Sequence, residues 1–356
     1  MRAVLRRLLA LHPALPALAL SFGGGLAGAA LGLPAGLLIG GSIAVSAAAL
    51  FGVRAEIPLR LRNAALVVIG MTLGTNVQQD SLALIAQWPL TLIGLGLAVA
   101  AMVTLSAVLL NRGLGLPAGT AALAAIPGHL SFVLALAEAG GANSSRIAVI
   151  QSIRILLLTI LVPVVARLFA HFETRPPLSP PATLDMTTLL PLAAACALAG
   201  WLFERARIPA GFVLGAMAVA IAAKLAGLYS GVLPFWLTAT GFVVMGGLIG
   251  SRFSGVTLAE LRGAALGGVT VTAASVGVVS LTAGVLAPVT GIAFGQIWIG
   301  LAPGALEAMG ALGLAMGFDT GFIAAHHTAR FLLISLFAPV LVAAIRRNTA
   351  RAGQPG

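Results

Sequence analysis

Charge is scarce in this sequence. Asp, Glu, Lys and Arg together supply 8% of its 356 residues, against about 25% in a soluble domain. A water-soluble fold of this length would lack the material for its own surface. Lysine occurs once, at Lys224, so the basic excess is almost wholly arginine. Cysteine also occurs once, at Cys196, which excludes an intrachain disulfide and any cysteine-based metal site. The histidines (His12, His129, His171, His326 and His327) show no HxxE or HExxH spacing. Adjacent histidines also point in different directions on a helix, so no metal, no other cofactor and no enzyme activity is expected. The glycines of GGGLAGAALGLPAG precede no GK[ST], and read as close helix packing instead of a phosphate loop.

What is present is oil. Hydrophobic residues make up 60% of the chain and the mean hydropathy is +1.09. Lipid, not water, is the solvent such a chain fits. Its length accommodates roughly ten helical spans of about 20 residues with short loops. The net charge of +11 would suggest nucleic acid in a soluble protein. Here the arginines sit mostly in short loops, where they orient helices in a membrane, so no direct nucleic-acid contact is expected. The start, MRAVLRRLLALHPALPALAL, has the form of a signal peptide. It reads better as the first membrane element, because a matching element follows in the second half.

Apolar elements run at about 13–31, 34–53, 62–77, 88–111, 116–139 and 146–170, then at about 187–203, 209–228, 234–251, 264–287, 292–316 and 320–345. Between the two sets lies HFETRPPLSPPATLD, too rich in proline for a helix interior. Residues 1–170 thus form one membrane repeat, 171–185 a linker, 186–346 a second repeat and 347–356 a tail. The sets match each other. LPAGLLIG (33–40) resembles IPAGFVLG (208–215), and Gly70 and Gly74 fall on Gly246 and Gly250. From Pro127 to Pro163, 13 of 37 positions equal those 176 residues on; the pairs include Pro127 and Pro303, Gly128 and Gly304, Arg154 and Arg330.

The fifth element of each half contains Pro-Gly near its middle. Proline removes a donor and glycine permits a turn, so this element is read as re-entrant or discontinuous. Basic residues then vote on orientation. With a re-entrant fifth element and a cytoplasmic N-terminus, fifteen arginines fall inside (2, 6, 7, 54, 60, 62, 112, 146, 205, 207, 252, 262, 346, 347, 351), and Arg167, Arg175 and Lys224 fall outside. A spanning fifth element makes the count 13 to 5. The first arrangement is preferred, with inverted halves and both termini cytoplasmic.

Arg154 and Arg330 are the residues that call for explanation. Each lies deep in its apolar run, where a lipid-facing guanidinium costs about 2.5–3.5 kcal/mol. Snorkelling is the bland alternative, but repetition at one register favours burial against protein. Such an arginine either pairs structurally or binds a ligand. Glu307 is a candidate partner for Arg330; its counterpart in the first half is Ser131, beside His129, so Arg154 would keep its charge unless Glu138 pairs with it. Broken helices at membrane depth are tolerated beside protein or a cavity, and their ends bind ions and anionic groups in transporters. His326 and His327 fall over Ile150 and Gln151, one turn before the arginine, where a single hydrogen-bonded histidine or a proton relay would fit. Asn76, Gln78, Gln79 and Asp80 read as a loop, and Asn143 and Asp319 as helix N-caps. The candidate solute site is therefore Pro127, Gly128, His129, Ser131, Gln151, Arg154, Pro303, Gly304, Glu307, His327 and Arg330.

These two blocks, PGHLSFVLALAEAGG…QSIRILLLTILVP and PGALEAMGALGLAMG…HHTARFLLISLFAP, together with LPAGLLIG, resemble the bacterial AbrB-type membrane protein family. Its members are described as a membrane-domain duplication and are often labelled ammonia monooxygenases. The resemblance covers about residues 15–345. The family pattern has PGG followed by an acid; this chain has PGH and Ser131 in the first half and keeps the acid, Glu307, in the second. The resemblance implies a bacterial inner-membrane location and a link to regulation of gene expression, and names no substrate.

The expected fold is an all-α polytopic membrane protein of two inverted six-element repeats, with about ten spanning helices. The expected function is a transporter or permease for a small anionic solute. The alternative is a membrane regulator that senses a ligand and signals through a partner. The bilayer and the solute are the partners expected, with homo-oligomerisation left open.

Overall fold

The structure, a computed structural model, describes residues 14–77, 88–127, 130–169, 182–208 and 210–352. Among these, fourteen α-helices follow one another: α1 (Ala14–Ala30), α2 (Gly36–Leu50), α3 (Leu59–Thr75), α4 (Trp88–Val108), α5 (Ala118–Ala125), α6 (Leu130–Gly140), α7 (Ser144–Phe169), α8 (Met186–Arg205), α9 (Gly211–Leu225), α10 (Phe235–Gly250), α11 (Leu258–Thr290), α12 (Phe294–Leu301), α13 (Leu306–Ala315) and α14 (Thr320–Ala352). The described residues contain no strand, only an isolated bridge between Thr183 and Val232. The helix segments Trp88–Gly113, Ser144–Val162, Met186–Arg205 and Leu258–Thr290 are each long and apolar enough to cross a membrane. Many large apolar side chains on them face outward, Leu97, Leu198, Leu281 and Val285 among them, which suits lipid as the neighbour.

The chain divides into two compact units that cut across the sequence halves. The first comprises Met1–Ala86, Thr159–Gly255 and Leu306–Ala324; the second comprises Gln87–Leu158, Val256–Ala305 and Ala325–Gly356. Both halves contribute to each unit.

In the first unit the recurrent LPAG and IPAG motifs have one physical meaning. Ala35 (φ 49°) and Ala210 (φ 52°) adopt the left-handed conformation just before α2 and α9. The glycine that follows lies hard against the preceding helix: a Cβ would stand 2.5 Å from Ala29 N at Gly36 and 2.5 Å from Glu204 N at Gly211. No other residue fits so close a backbone approach. α1 thus lies on α2, and α8 on α9. α3 packs on α9 through Gly70 and Gly74, whose missing side chains make room for the carbonyls of Val213 and Met217. α10 packs on α2 through Gly246 and Gly250, which meet Leu38 O and Val45. The third element of each half therefore docks on the second element of the other. Val67, Met71, Leu189, Leu192, Cys196, Ala216 and Ala220 form a buried cluster among α3, α8 and α9.

In the second unit α11 is central. Gly94 on α4 receives Leu286, and Gly267 and Gly268 receive Ile150 and Ile153 of α7. Trp298 of α12, fully buried, donates its indole N–H to Ser280 Oγ at 2.9 Å. α11 starts with a capping box in which Thr257 accepts from Glu260 N and the Glu260 carboxylate accepts from Thr257 N. Ser145 joins it by donating to Glu260 Oε1 at 2.9 Å.

Candidate functional site

The second unit holds both Pro-Gly breaks. α5 stops at Ala125, and Ile126 turns extended (φ −66°, ψ 124°) ahead of Pro127. α12 stops at Leu301, and Ala302 turns extended in the same way (φ −57°, ψ 137°) ahead of Pro303. The cause is local: the proline ring drives the residue before it out of the helical region. New helices begin at Leu130 and Leu306. The discontinuity expected at each Pro-Gly pair is therefore present.

A helix that stops leaves carbonyls without intrahelical partners, and here they lie in an apolar interior. Side chains from the long helices α7 and α14 supply the donors. Gln151 Nε2 donates to Leu123 O at 3.2 Å, and Arg154 Nη1 donates to Ile126 O at 3.3 Å. His327 Nε2 meets Ile299 O at 3.0 Å, Arg330 Nη1 donates to Ala302 O, and Arg330 Nη2 donates to Gly304 O at 2.7 Å. The Gln151–Leu123 and Arg154–Ile126 contacts recur 176 residues on, with the same separation of 28 residues between donor and acceptor; a longer contact from Gln151 Nε2 to Ile126 O at 3.5 Å has no counterpart at His327 among the described residues. Three residues separate Gln151 from Arg154 and His327 from Arg330, which puts each pair on one helix face. All four are buried: Gln151 0%, Arg154 1%, His327 2% and Arg330 6% exposed. A cation next to the carbonyl end of a helix is also favoured by the helix dipole.

The two arginines hold the breaks. Both commit a terminal nitrogen to the break itself, so each is first a clamp on a helix end. Glu307 begins α13 in the first unit, half-buried, and its charge acts on Arg252. Glu138 is exposed on α6, whereas Arg154 is buried. Pro127, Pro303 and Gly304 are buried at the breaks. Gly128, His129 and the side chain of Ser131 lie outside the described residues, as do Gln78, Gln79 and Asp80 of the expected loop.

His326 does not share the break with His327. Its Nε2 lies 2.8 Å from Thr91 Oγ1 on α4, and its ring meets Trp88 edge-on at 6.1 Å. Asn143 and Asp319 cap the two long helices as expected: Arg146 N donates to Asn143 Oδ1 at 2.9 Å, and Gly321 N donates to Asp319 Oδ1 at 2.7 Å. Lys224 repeats the clamp principle in the first unit, donating to Thr75 O at 2.6 Å and Val77 O at 3.0 Å where α3 ends.

Sequence reasoning missed Thr91 and the carbonyls of Leu123, Ile126, Ile299 and Ala302. Thr91 shows only as one of three hydroxyl side chains in an apolar helix, with Thr104 and Ser106. The carbonyls leave no trace in residue identity, though the Pro-Gly pairs marked where the helices would stop.

Among known proteins, the family described as "Transition state regulatory protein AbrB" matches residues 37–346 of this chain. A protein of Escherichia coli (strain K12) named "Putative regulator AbrB" is 26% identical over 330 residues, covering 88% of this chain and 90% of that protein.

Proposed function

Since the chain belongs to the AbrB family, we propose that it is an integral membrane permease for a small anionic solute, built from two inverted repeats. One observation carries the reading: two apolar helices are broken at the same register, and each break is tied by a buried arginine to a neighbouring long helix. Broken helices inside a membrane are tolerated where protein or a water-filled path covers them, and they form the central sites of secondary transporters. A clamp of this kind places a permanent positive charge at each break, which favours an anionic solute over a cation. The matched contacts 176 residues apart, and the docking of third elements on the opposite second elements, support a duplicated architecture.

The second reading is a membrane regulator that binds a solute and signals through a partner. It is favoured by the name of the Escherichia coli relative. Reconstituted proteoliposomes separate the two. Saturable uptake of radiolabelled small carboxylates, lost in Arg330→Gln, supports the permease. Saturable binding without flux supports the regulator and sinks the permease.

A further inference from the structure

The two breaks differ at one position, and that difference is chemical. A carbonyl accepts only from an N–H, so the contact between His327 and Ile299 O puts the ring proton on Nε2. Nδ1 is then a bare lone pair, buried and without a hydrogen-bond partner among the described residues. Gln151 stands in the same place at the first break. Its Nε2 is taken by Leu123 O, and its Oε1 is likewise buried without a partner. Each break therefore presents one unfilled acceptor beside a clamped arginine. An acceptor repels a carboxylate oxygen. An imidazole can become a donor by taking a proton in the physiological range; an amide cannot.

The charged groups around His327 are few. Arg330 lies one turn on along α14, and His326 is adjacent with its Nε2 on Thr91 Oγ1. α4, α5 and α12 carry no titratable side chain, and on α11 Glu260 and Arg262 sit in its first turns. An imidazolium next to Arg330 would set two buried positive charges one turn apart. An arriving anion removes that conflict, so proton and anion favour each other's binding.

We propose that the second break binds a small carboxylate together with one proton, carried on Nδ1 of His327, while the first break binds its ligand without a proton. This rests on the reading that the breaks are solute sites. The proton comes from solvent onto Nδ1, the new N–H donates to the carboxylate, and both leave together. No covalent bond is made or broken apart from that N–H. His327 is thus the proton-coupling residue, and Gln151 is its built-in control.

The test uses the purified full chain and radiolabelled acetate as the probe, between about pH 6 and about pH 8, where acetate stays ionised. Apparent affinity falls about tenfold per unit rise in pH, as expected when one proton binds with the ligand. Calorimetry in buffers of different ionisation heat counts about one proton taken up per acetate. His327→Gln, which installs the residue of the first break, flattens the pH dependence, whereas His326→Gln keeps it. Acetate binding that is flat with pH in the unaltered protein overturns the proton role and leaves the solute reading standing. So does a slope that survives His327→Gln. An absence of acetate binding at both pH values overturns the solute reading and this inference with it. Should His327→Gln not fold, the proton count in the unaltered protein decides: none taken up refutes the proposal.

Discussion

Arg330→Gln isolates the clamp. In the folded protein the guanidinium gives one nitrogen to Ala302 O and a second to Gly304 O, and both residues are buried. Hydrogen bonds from a charged donor contribute about 1.5–3 kcal/mol each, so the pair contributes roughly 3–6 kcal/mol. A glutamine amide is shorter and reaches at most one of the two carbonyls, returning about 1 kcal/mol. The expected loss is therefore about 2–5 kcal/mol, read from reversible unfolding in mixed micelles. Lysine in the same place keeps the charge but offers a point donor in place of a fork, and recovers only part of the loss. The decisive comparison adds Glu307→Ala. If the clamp on the break is what Arg330 supplies, the two carbonyls stay stranded whether or not Glu307 is present, and Arg330→Gln remains destabilised in the double variant. If Arg330 instead serves chiefly to neutralise Glu307, removing the carboxylate restores most of the stability. Near-complete rescue by Glu307→Ala refutes the clamp.

Arg154→Gln strips the corresponding donor from Ile126 O and lowers unfolding stability by about 1.5–3 kcal/mol in the same assay. Gly70→Ala drives a methyl group into the Val213 carbonyl and forces α3 off α9; a loss of about 1–3 kcal/mol is expected, with Gly277→Ala, which meets open space, as the neutral control. Asp185 caps α8, and its carboxyl is held below the ordinary carboxylate value of 3.8 by hydrogen bonds from Thr188 and Thr187. That contribution is complete above the ordinary value and is lost as pH falls through the lowered one, so amide exchange at Thr188 accelerates only below about pH 4; unchanged exchange there contradicts the cap. For the inverted architecture, cysteines at Ser179 and Thr349 in a Cys196→Ser background are expected to label from opposite sides of the membrane, and labelling from one side sinks it.

Much of the fold was legible because lipid leaves few ways to arrange a backbone. Each of the twelve apolar runs corresponds to a helix or, at the Pro-Gly pairs, to two short helices. The glycine pairs at 70, 74, 246 and 250 were legible as repeated features, but their purpose was not. They make room for helices from the other half, a contact that no local pattern encodes. The same limit applied to the site. Arg154 and Arg330 stood out because buried charge is costly and their register repeats. A carboxylate partner was sought because side chains are what a sequence displays. Backbone carbonyls are among the partners of both arginines; every residue carries one, and it becomes available only where a helix stops.

A backbone partner gives the arginine a role at both breaks, although the acid stands at only one of the matching positions. At the first break the position matching Glu307 is Ser131, so an arginine that depended on this carboxylate would have lost its reason to stay. Orphaned carbonyls persist as long as the proline does, because the proline causes the break that orphans them. Pro127 with Arg154, and Pro303 with Arg330, are thus two coupled pairs: remove the proline and the helix closes over its own carbonyls, leaving the guanidinium buried with fewer acceptors. Gln151 and His327 occupy the next turn of the same clamp and share its first task, an N–H given to a carbonyl of the helix that stops. Only their second heteroatoms are at liberty to differ. The amide and the imidazole are interchangeable for holding the helix end and are not interchangeable for handling a proton, so the substitution changes the chemistry of the break while leaving its mechanics alone.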